Sequence, residues 1–139
     1  MHKIKSSWVN KLAFDSYIDK HLLRMDTNGT LSDDTGPSPK KLLLSSLAGC
    51  TGMDVVSLLN KMRVPFTGLD IEVEADLTDE HPIVYSEIRL VYKIFGDDLD
   101  HDKVEKAVRL SQERYCGVSA MLRKNSPITY RIEYVGELV

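Results

Sequence analysis

The sequence predicts an α+β protein, in which strands and helices occupy separate stretches of the chain. Three patterns indicate this class: strand-like segments in the first third, a long apolar helix followed by a strictly alternating strand, and two helices before a final strand. With 139 residues and no low-complexity tract, long linker or convincing internal repeat, the chain is expected to form a single domain over residues 1–139.

The first third of the chain predicts strands joined by turns. The strand-like segments read KIKSSWV, LAFDSYI and KHLLRMD, and Asn28-Gly29 marks a tight turn. The segment LSDDTGPSP is dense in turn residues and predicts a loop. The polar stretch from Asp26 to Ser38 fits either a lid or a plain connection, and both alternatives stay open at this stage.

A long helix is expected from Pro39 to about Met62. Ser38 is a favourable N-cap, Pro39 suits the first helical position, and Pro65 stops the helix. On a helical wheel the apolar side chains form one broad arc, which consists of Leu44, Leu47, Ala48, Val55, Leu58, Leu59 and Met62.

The strongest strand signal is LDIEVEADL, where apolar and acidic residues alternate with the period of a strand that has one solvated face. The segment EIRLVYKIF is expected to be its antiparallel partner, with the break at DEHP. This pairing would place Arg89 and Lys93 opposite the acidic face.

The last third predicts two helices and a strand. A helix is expected from His101 to about Tyr115, because three aspartates crowd its start, where the helix dipole favours anions. A shorter helix, VSAMLRK, follows Cys116-Gly117, and PITYRIEYV closes the chain as a strand.

Composition and charge narrow the function classes. The net charge of -3 and the pI of about 5.8 argue against nucleic acid as the main partner. The opening MHKIKSSWVN lacks the apolar core of a signal peptide, and no apolar run is expected to reach the ~18 residues of a membrane-spanning helix. We therefore expect a cytoplasmic protein without a membrane partner. Two cysteines are too few for a disulfide scaffold.

Cys50 lies in the middle of the long helix, about a third of a turn from the centre of the apolar arc. Its neighbours on the wheel form a mixed flank of Leu43, Ser46, Asp54 and Ser57. Gly49 and Gly52 lie on another side, where they suit a close helix–helix or strand–helix contact, since each costs a helix about 1 kcal/mol relative to alanine. Cys50 is therefore either a small packed residue or a reactive thiol.

Cys116 lies where one predicted helix ends and another begins. A thiol at a helix start is exposed to the positive end of the dipole, which favours the thiolate, although a packed small residue is the other reading. The two cysteines are 116 − 50 = 66 residues apart, so their spacing does not show whether they meet.

The sequence contains few other signals of a catalytic, nucleotide-binding or metal-binding site. The chain has no GxSxG, Walker or GxGxxG motif. No metal site is expected, because the histidines have no zinc-like spacing relative to the cysteines; they are His2, His21, His81 and His101.

The segments GPSPKKLLLSSLAGCTGMDVV and LSQERYCGVSAML together resemble the OsmC/Ohr family, particularly its YhfA-like subgroup. The resemblance extends over nearly the whole chain and includes the two-cysteine arrangement, the EHP turn and the final strand. It implies an OsmC-like fold, with antiparallel sheets wrapped around central helices in an intertwined homodimer. It also implies that the cysteines lie near the subunit interface.

The resemblance further implies a function and a mechanism. Family members with known chemistry reduce organic hydroperoxides with thiols in oxidative-stress defence. Carried onto this chain, Cys50 is the attacking thiolate, and Cys116 resolves the resulting sulfenic acid as a disulfide. An external dithiol then regenerates the enzyme, and no bound cofactor is required.

The sequence departs from the family pattern beside the thiols. Lys40 and Lys41 occupy the region where the peroxidase branch has a glutamate. They either form a solvated charge pair or attract an anionic substrate. Arg24 is the only arginine before the long helix, and it does not align clearly with the family's arginine. Two alternatives to a peroxidase therefore stay open: a non-catalytic small-molecule-binding protein and a redox sensor.

Overall fold

The structure is a computed structural model that describes residues 1–136, and its chain divides after Leu44 into two units. The described residues form six strands and three α-helices, with one π-helical turn between the second and third helices. The α+β class that the sequence predicts is therefore confirmed. That residues 1–139 behave as one domain stays a prediction.

The first unit contains a three-stranded antiparallel sheet in the order β1-β2-β3. The strands are β1 (Lys5–Asn10), β2 (Ala13–Ile18) and β3 (His21–Met25), which confirms the three predicted strands. Arg24 of β3 lies directly opposite Asp15 of β2, and the two side chains form an ion pair. The guanidinium of Arg24 also donates to Thr35 Oγ1 at 3.1 Å.

The polar stretch that follows β3 is closed around the buried side chain of Asp26. Its carboxylate accepts hydrogen bonds from the backbone N–H of Thr27 at 2.8 Å and from both the N–H and the hydroxyl of Thr35 at 3.0 and 2.7 Å. The hydrogen bonds from Thr35 are the main reason that the pKa of Asp26 lies below its ordinary value. The stretch is thus tied at both ends to one carboxylate.

The second unit is built on a three-stranded sheet in the order β4-β5-β6. The strands are β4 (Gly68–Leu77), β5 (Tyr85–Phe95) and β6 (Ile128–Val135). β4 and β5 pair antiparallel, and Lys93 Nζ lies 2.8 Å from Glu72 while Arg89 Nη1 lies 2.9 Å from Asp76. The predicted cation–carboxylate pairing across these strands is confirmed.

β6 pairs with β5 in parallel, which differs from the antiparallel sheets that the resemblance implies. The reason is the connection between the two strands, because a crossover through helices returns the chain in the same direction. β5 is consequently the central strand, and its inward side chains are fully buried: Ile88, Leu90, Tyr92 and Ile94.

Three helices accompany this sheet: α1 (Pro39–Lys61), α2 (His101–Leu110) and α3 (Gly117–Arg123). The side chain of Asp100 caps α2 by accepting the N–H of Lys103 at 3.2 Å, as expected for an aspartate at a helix start. The helix predicted to continue to Tyr115 changes after Leu110 into a π-helical turn, Ser111–Tyr115. All three predicted helices are otherwise confirmed.

α1 is long and apolar enough to cross a membrane by length and composition, so the expectation that no segment would reach this length was wrong. A core helix of a soluble protein passes the same test. In α1 every fourth residue along one stripe is fully buried, namely Leu47, Thr51, Val55 and Leu59. This stripe is the buried part of α1, since 22% of its apolar stretch is buried, and it includes a polar threonine as well as apolar residues.

We predict that Asp26 makes the fold of the first unit sensitive to acid. Because its folded-state pKa is below the ordinary value, its contribution is complete above about pH 4 and is lost as the pH falls through the folded-state pKa. The protection of residues 26–38 against hydrogen exchange, measured by mass spectrometry relative to the intrinsic exchange rate at each pH, should fall below this pH.

Asp26→Asn should give the same loss of protection at neutral pH, whereas Asp34→Asn, in the same loop, should leave the protection unchanged. Equal exchange in Asp26→Asn and the unmodified protein would show that the carboxylate does not hold the loop.

Candidate functional site

The two cysteines come from different elements of the second unit and meet. Cys50 lies midway along α1, and Cys116 follows the π-helical turn directly before α3. Their sulfur atoms lie within 4.8 Å of each other, and both thiols are free. Cys50 is half-buried and Cys116 is buried. The fold thus joins two residues whose separation in sequence left their contact undecided.

A carboxylate completes this group. One oxygen of Asp54 lies within 4.8 Å of both sulfur atoms. Asp54 follows Cys50 by four residues, which places the two side chains on the same face of α1, one turn apart. The helical wheel identified Asp54 only as a polar neighbour of Cys50. The i, i+4 spacing of a carboxylate and a thiol was the available signal.

The π-helical turn sets the position of Cys116. The backbone N–H of Cys116 donates to the carbonyl of Ser111 at 2.8 Å, which is the i→i−5 bond of a π-helix. The backbone of Cys116 is extended, and its sulfur accepts the N–H of Ser119 at 3.4 Å. The thiol therefore occupies the N-cap position of α3, where serine, threonine, asparagine or aspartate is usual.

The surroundings of Cys50 favour the protonated thiol. Burial raises the pKa of Cys50, a hydrogen bond from the backbone N–H of Val118 acts in the opposite direction, and the Cys116 thiol and the Asp54 carboxylate raise it further. The charged group that acts on this thiol is thus the Asp54 carboxylate, which is an anion. Lys40 and Lys41 lie exposed in the first turn of α1.

Behind the thiols lies a buried hydrogen-bonded group, the Thr51 cluster, which consists of Thr51, Tyr92, Ser111 and Gln112. Thr51 Oγ1 lies 2.7 Å from both the Tyr92 hydroxyl and Ser111 Oγ. The side-chain amide of Gln112 donates to Thr51 Oγ1 at 3.2 Å and to the Tyr92 hydroxyl at 2.9 Å. These bonds join α1, β5 and the π-helical turn at one point.

The direction of each hydrogen bond along the Thr51 cluster follows from the bond that Ser111 makes with Asp54. Ser111 Oγ donates to Asp54 Oδ2 at 2.9 Å, because an ionised carboxylate only accepts. Thr51 must then donate to Ser111, and Tyr92 must donate to Thr51. Burial raises the pKa of Tyr92 to about 12.

Arg123 of α3 fixes the remaining groups of Gln112. Its guanidinium donates to the backbone carbonyl and to the side-chain Oε1 of Gln112, both at 3.0 Å. With Oε1 accepting from Arg123, the amide nitrogen must face Thr51 and Tyr92. Sequence reasoning missed the cluster, although a threonine within the apolar arc of α1 was a visible signal.

A cavity of about 360 Å³ opens beside Asp54 on the thiol side of α1. Four of its lining residues come from α1 and one from the π-helical turn: Asp54, Ser57, Leu58, Lys61 and Tyr115. The volume is within the range of small-molecule sites. One end of the cavity is therefore acidic and close to the thiols, whereas Lys61 supplies a cation two turns further along the helix.

A second, larger groove of about 840 Å³ follows a different side of α1, against β4. Gly52 permits the close helix–strand contact here, because a Cβ at this position would lie 3.1 Å from Ile71 Cδ1. A Cβ at Gly49 would meet nothing within 4 Å, and its position faces the groove. The strand–helix contact expected for the glycines is thus present at Gly52.

Comparison with known proteins shows that the sequence is similar to one family model and to a curated protein over most of its length. A family model described as OsmC-like protein matches residues 32–131. Protein YhfA of Escherichia coli (strain K12) is 36% identical over 129 residues, which cover 92% of this chain and 94% of YhfA.

Solved structures extend the likeness to the fold. A hypothetical protein from Aquifex aeolicus VF5 has a TM-score of 0.82 and 26% identity over 96% of this chain and 97% of its own. The organic hydroperoxide resistance protein OhrB of Bacillus subtilis has a TM-score of 0.68 over 96% of this chain and 98% of its own. At 19% identity, the likeness to OhrB concerns the fold alone.

Proposed function

Because the chain belongs to the OsmC-like protein family, we propose that it reduces organic hydroperoxides with a pair of thiols, as part of oxidative-stress defence. The observation that supports this proposal is the meeting of Cys50 and Cys116, whose sulfur atoms lie within 4.8 Å. The solved structures of the same fold include proteins named for organic hydroperoxide resistance.

In the proposed reaction Cys50 attacks and Cys116 resolves. The Cys50 sulfur takes one peroxide oxygen, the O–O bond breaks, and the products are a sulfenic acid on Cys50 and an alcohol. The Cys116 thiolate then attacks the sulfenic sulfur and releases water, which leaves a disulfide. An external dithiol reduces this disulfide, and no bound cofactor takes part.

Cys50 is the attacking thiol in this proposal because it is the more exposed of the two. Its sulfur is half-buried at the surface of α1, whereas Cys116 is only 3% exposed. A buried resolving thiol meets no peroxide directly, so it remains reduced until a sulfenic acid forms beside it.

Asp54 supplies the carboxylate that the sequence lacks at the start of the long helix. Its oxygen lies within 4.8 Å of both sulfur atoms, so it can receive the proton of the Cys50 thiol and pass it to the leaving alkoxide. The hydrogen bond from Ser111 fixes the orientation of the carboxylate. We assign the activating role to this residue rather than to Lys40 or Lys41.

The cavity beside Asp54 supports a second candidate, a non-catalytic protein that binds a small molecule there. The raised pKa of Cys50 favours this reading over a fast peroxidase, since a protonated thiol reacts slowly. A redox sensor would use the same disulfide without turnover. The experiments below separate these functions by multiple turnover.

We further propose that the functional form is a homodimer. The groove on α1 is lined by apolar and small residues, and Met53 projects from it with 77% of its surface exposed. The sheet of the first unit also exposes large apolar side chains, among them Trp8, Tyr17 and Leu22. Surfaces of this kind typically mark interaction sites.

Replacing either cysteine should stop the cycle at a defined step. Cys50→Ser should abolish the consumption of an alkyl hydroperoxide, whereas Cys116→Ser should complete a single turnover and accumulate a sulfenic acid that dimedone traps. The unmodified protein should lose about 2 Da on treatment with one equivalent of peroxide, as measured by intact mass. Full multiple turnover in both variants would contradict the mechanism.

Replacing the carboxylate distinguishes proton transfer from a purely electrostatic effect. Asp54→Asn removes a charge that raises the pKa of Cys50, so alkylation by iodoacetamide should be as fast as in the unmodified protein or faster. Peroxide reduction should nevertheless fall by about tenfold or more, because the proton acceptor is lost.

Exposed Glu80 offers a matched control, since Glu80→Gln removes one negative charge from a surface loop and should change neither rate. The rates are measured on reduced protein in the presence of a chelator. Peroxide reduction that rises together with alkylation in Asp54→Asn would leave Asp54 without a role in proton transfer.

A charge in the groove should dissociate the proposed homodimer. Met53→Lys should sediment as a monomer, because a lysine cannot be buried against an apolar surface without a large desolvation cost. Met121→Lys is the control, since Met121 of α3 is 67% exposed and does not line the groove. A dimer that persists in Met53→Lys would place the interface elsewhere.

A further inference from the structure

We propose that Cys50, Asp54 and Cys116 form a binding site for Zn²⁺. Their potential ligand atoms, two sulfurs and one carboxylate oxygen, all lie within 4.8 Å of one another. This proposal departs from the expectation of no metal site, which depended on the spacing of the histidines, because the third donor here is a carboxylate on the helix that carries Cys50.

The three donors fit the dimensions of a zinc site. With Zn–S distances of ~2.3 Å and Zn–O distances of ~2.1 Å, tetrahedral geometry separates the ligand atoms by roughly 3.5 to 3.8 Å. Donors that already lie within 4.8 Å need only small side-chain adjustments to reach this separation. Cys50 and Asp54 also have the i, i+4 spacing by which one helix face supplies two metal ligands.

Groups around the donors are arranged to support metal-bound thiolates. The backbone N–H of Ser119 bonds to the Cys116 sulfur at 3.4 Å, and the N–H of Val118 bonds to the Cys50 sulfur. Ser111 donates to Asp54 Oδ2 and so orients the carboxylate while its other lone pairs remain available. Such second-layer hydrogen bonds typically hold the ligands of metal sites.

The donor set selects the class of metal. Two thiolates favour a soft or borderline cation, so Mg²⁺ and Ca²⁺ would bind poorly at this site. Three protein donors leave one position of a tetrahedral Zn²⁺ open. The half-buried Cys50 and the cavity beside Asp54 give this position a route to solvent.

Zinc at this position would regulate the proposed peroxidase, and this part of the inference rests on the proposed function. Binding releases the two thiol protons and occupies the lone pairs with which the sulfurs attack. A hydroperoxide that reacts with the complex takes up two protons, forms the disulfide, one alcohol and one water, and releases Zn²⁺. The bound metal would therefore protect the thiols from slow oxidation until peroxide is abundant.

The test uses the reduced 139-residue chain with Zn²⁺ and, as a spectroscopic probe, Co²⁺. We expect one Zn²⁺ per chain in native mass spectrometry and a thiolate-to-cobalt charge-transfer band in the near ultraviolet. Cys50→Ser and Cys116→Ser should each lower the intensity of this band by about half or more, because each removes one of the two thiolates, and Asp54→Asn should bind Zn²⁺ at least tenfold more weakly in competition with a chelating dye. Glu80→Gln should bind as the unmodified protein does.

Circular dichroism verifies that each variant is folded, and Cys50→Ala and Cys116→Ala replace any serine variant that is not. Absence of the band, a stoichiometry other than one metal per chain, or unchanged affinity in Asp54→Asn would each overturn the site. The zinc site and the peroxidase function can be contradicted independently of each other. Disulfide formation by peroxide in metal-free protein that binds no Zn²⁺ would retain the function without the site, whereas Zn²⁺ binding without peroxide consumption would retain the site alone.

Discussion

The arrangement of the thiols depends on the hydrogen bonds of one buried side chain, Ser111. Its hydroxyl lies 2.7 Å from Thr51 Oγ1 and donates to Asp54 at 2.9 Å, and its carbonyl accepts the N–H of Cys116 at 2.8 Å. Two residues of α1 and the N-cap residue of α3 are therefore bonded to one residue of the π-helical turn, which is fully buried. Because unpaired polar groups are costly in such surroundings, these bonds hold α1 and the π-helical turn in one relative position.

The π-helical turn is the local consequence of that constraint. A regular α-helix through Ser111–Tyr115 would bond the Cys116 N–H to the residue four positions earlier and would turn its side chain by about 100°. The wider turn instead places Cys116 in an extended conformation, where its sulfur both caps α3 and meets Cys50. The irregular backbone thus has a definable purpose, in keeping with the frequent occurrence of π-helical turns at functional sites.

Much of the fold follows from patterns that a single segment contains. The alternation in LDIEVEADL predicts β4 because one face of that strand is solvated, and the acidic face correctly predicts its cationic partners on β5. The parallel pairing of β6 and the partners of Thr51 and Asp54 on other elements were not predictable in this way. Each depends on what lies opposite in space, and no local periodicity records that a threonine in an apolar arc faces a tyrosine 41 residues away.

The three sides of α1 explain why this helix is so apolar and why glycines flank its cysteine. One side is buried through Leu47 and Val55, and the groove with Gly49 and Gly52 follows a second side. At ~100° per residue, Cys50 lies on the third side together with Asp54. With one side buried and a second side along the groove, the third side is the flank that carries the thiol and the carboxylate. A charge or a bulky residue at either glycine would change the groove or the contact with β4, but neither would reach the thiols directly.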